Sequence, residues 1–119
     1  MLSYKGRKEI VKMKFMNLTP HAVSIEQEDG AICQIPASGE LARCSQSTEK
    51  VTVIDGIAVT RVTLGEVQGL PAPQKGTVYI VSRIIAEAVK GKRDDVLIPG
   101  PAIRDDEGRI IGAKGLSMV

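Results

Sequence analysis

The stretch YIVSRIIAEAVKGKRDDVLIPGPAIRDDEGRIIG, residues 79–112, decides the fold of this chain. It holds one helical pattern, short apolar runs typical of buried strands, and turns marked by glycine or proline. Ser82 is suited to cap the start of a helix, and Gly91 is suited to end it. We therefore expect one short helix over about residues 82–91, packed on a sheet by its apolar face.

Outside this stretch the chain has the signals of β-hairpins. Asp29-Gly30 and Asp55-Gly56 each separate two β-branched runs, and the acidic turn at 105–108 separates two more. The fold class predicted is α+β, a mostly antiparallel sheet built from hairpins with the single helix packed on it.

The hairpin around Asp55-Gly56 is the clearest of the three. Its arms are predicted over 51–54 and 57–64, preceded by a polar loop over 45–50. In the second arm, alternate residues share a face. The set expected to face the core is Ala58, Thr60, Val62 and Leu64.

Composition limits the protein to one domain of 119 residues with few large side chains. Aromatic residues make up only 3%, so the core must consist of smaller aliphatic groups, and we expect a homo-oligomer that shares apolar burial. A formal net charge of +2 gives no electrostatic case for nucleic-acid binding. No apolar run approaches the roughly 20 residues that cross a bilayer, so no membrane association is expected.

The first dozen residues, MLSYKGRKEIVK, are basic and show little periodicity. Purine-rich codons can encode residues 6–9, and a methionine follows shortly afterwards, as in a translated ribosome-binding site. We therefore expect residues 1–12 to be a disordered or non-native leader, the functional protein to begin at Met13 or Met16, and residues 13–119 to form the domain.

Catalytic and metal-binding patterns are weak. His21 is the single histidine, and it suits a polar contact in a loop at least as well as a general base. The neighbouring carboxylates at 94–95 and 105–106 lie in turns, where solvation competes with acid–base or metal chemistry. Cys33 and Cys44 form no CxxC motif, and one histidine makes a zinc site hard to complete. No enzyme activity, cofactor or metal is expected.

Arginines are the better candidates for a binding site. Arg104 and Arg109 flank a tight turn, where two guanidinium groups could clamp a phosphate or carboxylate. The acidic residues between them leave local ion pairing open as the alternative. Arg83 and Arg93, near the two ends of the helix, are further candidates with surface roles as their alternative.

Three segments carry a resemblance: NLTPHAVSI (17–25), GTVYIVSRIIAEAV (76–89) and RDDVLIPGPAIRDDEGRIIGAKGL (93–116). Together they resemble a family of short phage and prophage proteins with NLTPH, YIVS and VRDxxGRIIGCxGL motifs. Ala113 stands where that pattern has a cysteine. The resemblance implies a bacteriophage origin and a location in the host bacterial cytoplasm.

In size and implied origin the chain also resembles anti-defence sponges, which sequester nucleotide-derived immune signals such as cyclic ADP-ribose isomers or cyclic oligonucleotides. This likeness to proteins that counter Thoeris-like or CBASS-like systems implies a small phosphorylated nucleotide as ligand, bound without cleavage. Arg83, Arg104 and Arg109 would hold phosphates, and Asn17, His21 and Tyr79 would stack on or hydrogen-bond to base or ribose. The alternative is a phage protein that binds and inhibits a host protein.

Overall fold

The computed structural model describes residues 13–119, and the expected leader at 1–12 lies outside the described residues. Ten strands and one helix follow one another along this part of the chain. They are β1 (Lys14–Asn17), β2 (Val23–Glu26), β3 (Ile32–Ile35), β4 (Arg43–Ile54), β5 (Ile57–Gln68), β6 (Thr77–Ile80), α1 (Arg83–Ala88), β7 (Val96–Pro99), β8 (Ala102–Arg104), β9 (Ile110–Lys114) and β10 (Leu116–Ser117).

The first sheet holds the core and has the order β1-β6-β7-β10. β1, β6 and β7 are parallel, and β10 runs antiparallel to β7. Parallel neighbours need a crossover connection, and α1 provides it between β6 and β7. The run from Val78 to Val81 is fully buried, as is typical of central parallel strands. Leu18, Tyr79, Val81, Ile85, Ala86, Val89, Val96 and Ile98 form the core cluster.

The second sheet has the order β3-β2-β9-β8 and joins two of the expected hairpins. The hairpins β2–β3 and β8–β9 are antiparallel, and β2 pairs with β9 in parallel. Gly115, at φ 63°, then turns the chain from β9 into β10 and so links the two sheets. Its backbone N–H donates to the carbonyl oxygen of Glu26 at 3.2 Å.

The third hairpin is longer than its sequence predicts. β4 and β5 have 12 residues each and form a two-stranded sheet of their own, referred to below as the arm. The predicted loop at 45–50 is strand in this arm. The predicted core face is also wrong: Ala58, Thr60 and Val62 are exposed and Leu64 is half-buried. Only the base of the arm, through Cys44 and Val67, packs against the core cluster.

The helix is shorter than the predicted 82–91. It ends at Ala88, and Val89 to Gly91 form a turn in which Gly91 takes φ 81°. Ser82 precedes the helix but its side chain makes no capping hydrogen bond. No helix among residues 13–119 is long and apolar enough to cross a bilayer.

The predicted class, mostly sheet with one short helix, is confirmed. The expectation of a mostly antiparallel sheet holds only in part, because three of the seven strand pairings among the described residues are parallel. The reason lies in the apolar runs at 77–81 and 96–98. Both are buried on two sides, which is typical of parallel strands joined through a helix.

Candidate functional site

A surface cleft of about 540 Å³ lies beside the start of α1. We call it the Arg83 cleft. Its lining residues are Arg83, Ile98, Pro99, Gly100, Pro101, Ser117 and Met118. Because β6 and β7 are parallel, they end at the same edge of the sheet, and the cleft opens there. Crevices at the carboxyl ends of parallel strands are common places for ligands to bind.

Pro99-Gly100-Pro101 forms one wall of the cleft, and its shape depends on the glycine. The backbone N–H of Gly100 donates to the carbonyl oxygen of Gly115 at 2.9 Å. A Cβ atom at position 100 would overlap the carbonyl oxygen of Lys114. The flanking prolines restrict φ on both sides of this contact. The wall is therefore stiff and held against the turn between β9 and β10.

Arg83 supplies the cationic group of the cleft. Its side chain is 67% exposed, and its Nη1 lies 3.4 Å from Oε1 of Glu87. This distance is long for a charge-assisted hydrogen bond, and exposed pairs one helical turn apart are weak. The guanidinium can therefore turn to an incoming anion at little cost.

Arg104 and Arg109 do not line the Arg83 cleft. A β-bulge between Ile103 and Arg104 places Arg104 opposite Ile110, so the two arginines are not cross-strand partners. Arg104 Nη1 donates to the carbonyl oxygen of Gly108 at 2.7 Å. Arg104 therefore bonds within its own hairpin, which is the alternative given above, and the two arginines do not form a shared clamp.

Arg109 is held by the acidic turn itself. Its Nε donates to Oδ2 of Asp105 at 2.9 Å, and its Nη2 lies 3.1 Å from Oε2 of Glu107. The backbone N–H of Arg109, followed by its guanidinium and the backbone N–H of Glu107, lowers the pKa of Asp105. Both arginines nevertheless remain exposed to solvent.

Asn17 is buried, and the four hydrogen bonds of its amide are all made within the protein. Its Nδ2 donates to the carbonyl oxygens of His21 at 2.8 Å and Ile35 at 3.1 Å. Its Oδ1 accepts from the backbone N–H and the hydroxyl of Thr19. The amide of the NLTPH motif thus holds the turn after β1 against β3. His21 is exposed and contributes its backbone carbonyl to this network.

Tyr79 is fully buried in the core cluster. Its hydroxyl donates to the carbonyl oxygen of Ala72 at 3.2 Å, which fixes the Pro/Gly loop that follows β5. The aromatic ring of Tyr79 is therefore not presented at the Arg83 cleft. Of the six residues predicted for the site, only Arg83 lines the cleft.

A half-buried Arg93 and a buried Asp95 form an ion pair that sequence reasoning did not identify. Two parallel hydrogen bonds join them, and Arg93 Nη2 also donates to the carbonyl oxygen of Pro71 at 2.8 Å. The Arg93 guanidinium carbon lies 5.9 Å from the centre of the Tyr79 ring. The sequence signal was the spacing Arg-x-Asp directly before a buried strand.

This pairing sets the protonation of both groups. Burial raises the pKa of Asp95, but the hydrogen bonds and positive charge of Arg93 outweigh burial, and the net shift is downward. The hydrogen bond to Asp95 raises the pKa of Arg93. Asp95 is thus a buried carboxylate paired with Arg93, whereas its neighbour Asp94 is exposed.

Within residues 13–119, no group of three or more His, Cys, Asp or Glu side chains could hold a metal ion. Cys33 and Cys44 are both free thiols and half-buried. No family model, curated protein or solved structure matches this chain.

Proposed function

We propose that this protein binds a small phosphorylated nucleotide in the Arg83 cleft and holds it without cleaving it. The single observation that carries the proposal is the placement of the Arg83 guanidinium in a cleft at the carboxyl ends of β6 and β7. A planar guanidinium binds phosphate oxygens through two parallel hydrogen bonds.

The rest of the lining suits the remainder of a nucleotide. Ser117 offers a hydroxyl, while Ile98 and Met118 offer apolar surface against which a base can pack. A volume of about 540 Å³ lies within the range of pockets that hold small ligands. The proposal does not rest on Arg104 or Arg109, which bind within their own hairpin.

The biological role proposed is that of a phage-encoded anti-defence protein in the bacterial cytoplasm. It comes from the resemblance of segments 17–25, 76–89 and 93–116 to short phage proteins. The ligand would then be a nucleotide-derived immune signal, such as a cyclic ADP-ribose isomer or a cyclic oligonucleotide. Sequestration by a small protein needs a site for the anionic phosphates and no reacting group.

Ligand depletion tests this function. The protein is incubated with each candidate cyclic nucleotide, filtered to measure free ligand, and then heated to release what was bound. We expect depletion before heating and chemically unchanged nucleotide afterwards. A cleaved product would identify an enzyme, and an absence of depletion with every candidate would contradict the proposal.

Three variants locate the site. Arg83→Ala should strongly reduce depletion, whereas Arg104→Ala, a matched exposed arginine outside the cleft, should retain it. Loss with the Arg104→Ala and Arg109→Ala double variant but not with Arg83→Ala would move the site to the β8–β9 hairpin.

The second candidate function is inhibition of a host protein. The exposed arm favours it, because apolar side chains on both of its faces could contact a partner. This function predicts a stable complex with one host protein and no retained nucleotide.

A further inference from the structure

The arm β4–β5 exposes apolar side chains that nothing else in the described chain covers. Six β-branched residues on it are among the exposed large hydrophobic residues: Val51, Val53, Ile54, Ile57, Val59 and Val62. Their exposed fractions run from 38% at Val59 to 68% at Ile57. Together they present on the order of 500 Å² of surface, divided between the two faces of the arm.

These residues occupy both faces of the distal half of the arm. The register pairs Ile54 with Ile57 on one face and Val53 with Ala58 on the other. The outer edges of both strands are also unpaired among the described residues. A two-stranded hairpin with no covering layer is marginally stable in water, so an arm of about 40 Å needs support along its length.

The shape of the chain agrees with a projecting arm. The Cα radius of gyration is 17.2 Å, compared with about 13 Å for a compact domain of 100 residues. The base of the arm contacts α1, and the core cluster reaches only to Cys44 and Val67. The apolar tip is therefore held away from the core of its own chain.

We propose that the arm is the interface through which two copies of this chain associate, each arm packing on the arm of the other. The inference is independent of the nucleotide proposal, since the arm contributes no residue to the Arg83 cleft. Face-to-face packing covers one face of each arm, about 40 Å long and about 10 Å wide. It therefore buries on the order of 400 Å² per copy and on the order of 800 Å² in total, the size of a weak, concentration-dependent interface.

Charge on the arm favours a second copy over other occupants. Residues 43–68 carry three basic side chains (Arg43, Lys50 and Arg61) and three acidic ones (Glu49, Asp55 and Glu66), so their net charge is zero. A surface with balanced charges of both signs does not repel its own copy, and a two-fold interface must be self-complementary. Nucleic acid and anionic lipid surfaces select basic patches, and membrane surfaces also select aromatic residues, which residues 43–68 lack.

Glu49 and Arg61 give the interface a polar contact. They lie directly opposite each other on neighbouring strands, on the same face as Ile57 and Val59. They do not form an ion pair with each other within one copy. In a two-fold pair of arms, the Glu49 carboxylate of each copy can contact the Arg61 guanidinium of the other copy, next to the apolar residues of the tip.

Sedimentation velocity from about 1 to 100 μM tests the proposal on the full chain. Wild type should sediment at twice the 12.7 kDa chain mass or a higher even multiple. Ile57→Lys should raise the dissociation constant of the oligomer at least tenfold, because each copy would bury an unpaired ammonium group at the interface. Ile32→Lys, at an isoleucine on β3 outside the arm that is 57% exposed, should leave the association unchanged.

Amide hydrogen exchange gives a second readout that does not depend on how a variant folds. In wild type, the amides of residues 51–62 should become more protected as concentration rises, while those of β2–β3 should not change. A monomer at 100 μM, or an oligomer that Ile57→Lys leaves intact, would overturn the proposal. So would a monomeric wild type that uses the arm to capture a host protein.

Discussion

Arg93 holds Asp95 through two parallel hydrogen bonds, from Nε to Oδ1 at 2.9 Å and from Nη2 to Oδ2 at 2.8 Å, in a site where the carboxylate is only 3% exposed. The same guanidinium bonds to Pro71 in the loop before β6. The pair therefore ties the crossover between α1 and β7 to the Pro/Gly loop. This tie lies at the edge of the sheet where β6 and β7 begin, opposite the edge that carries the Arg83 cleft.

Removing Arg93 should be strongly destabilising. Arg93→Ala leaves the Asp95 carboxylate buried without its partner, and such losses cost about 3–5 kcal/mol of unfolding free energy. Arg93→Lys should recover only part of this, because an ammonium cannot form the two parallel bonds. Urea denaturation measures both, with Arg83→Ala as a control that should change stability by less than about 1 kcal/mol. An Arg93→Ala variant as stable as wild type would show that the pair contributes nothing.

Acidification should weaken the protein through the same carboxylate. The folded-state pKa of Asp95 is lowered, so the unfolded chain binds the proton first, and stability rises with pH across that window. The contribution is present above the unfolded aspartate pKa of about 3.9 and is lost as pH falls through the folded value. Asp105, whose pKa is also lowered, acts in the same direction.

Unfolding free energies measured at a series of pH values check this. Asp95→Asn should flatten the slope below about pH 4, at the cost of lower stability at neutral pH. Asp94→Asn, at an exposed neighbouring position, should keep the wild-type slope. An unchanged slope in Asp95→Asn would mean that another group controls acid unfolding.

Asn17→Ala tests whether Asn17 stabilises the fold or binds the ligand. The substitution leaves the carbonyl oxygens of His21 and Ile35 and the N–H of Thr19 without their partner, which should cost about 2–4 kcal/mol. His21→Ala removes a side chain that takes no part in this network and should be nearly neutral. Thermal unfolding measures both. If Asn17→Ala stays fully folded but loses nucleotide, the asparagine belongs to the binding site after all.

Gly100→Ala should disturb the wall of the cleft. The added methyl group overlaps the carbonyl oxygen of Lys114, so the contact between this wall and the turn that joins β9 to β10 must open, at a cost of about 1–3 kcal/mol. Gly30→Ala is the control, because its Cβ would meet open space and only its φ of 87° is strained. Thermal unfolding should rank Gly100→Ala as the more damaging, and nucleotide affinity should fall with Gly100→Ala alone. Equal affinities would place the ligand elsewhere.

Local patterns in the sequence predicted the turns and the helix well. Asp55-Gly56 was recognised because glycine accepts the positive φ of a tight hairpin turn, and Gly56 takes φ 76°. What local patterns could not supply was the pairing between distant segments. The parallel alignment of β2 with β9 joins residues almost 90 positions apart, and no local signal encodes it.

The arm shows a second limit of prediction from local sequence patterns. Alternation in β5 correctly separated two faces, but alternation cannot say whether a face is covered by the same chain. The polar segment 45–50 favours a loop by composition, since Thr48 is its single β-former. The cross-strand pairing that makes it a strand is visible only in the register with 60–67. The same limit applies to the site. Arg83 lines the cleft because two parallel strands end at the same edge of the sheet, and local sequence patterns do not reveal that pairing.

Isothermal titration of the purified protein with cyclic nucleotides tests the central claim most directly. We expect wild type and Arg104→Ala to bind one candidate with the same affinity. Arg83→Ala should bind it about 10- to 100-fold more weakly, as expected for the loss of a charged hydrogen-bond pair worth about 1.5–3 kcal/mol. Equal affinities for Arg83→Ala and wild type would contradict it.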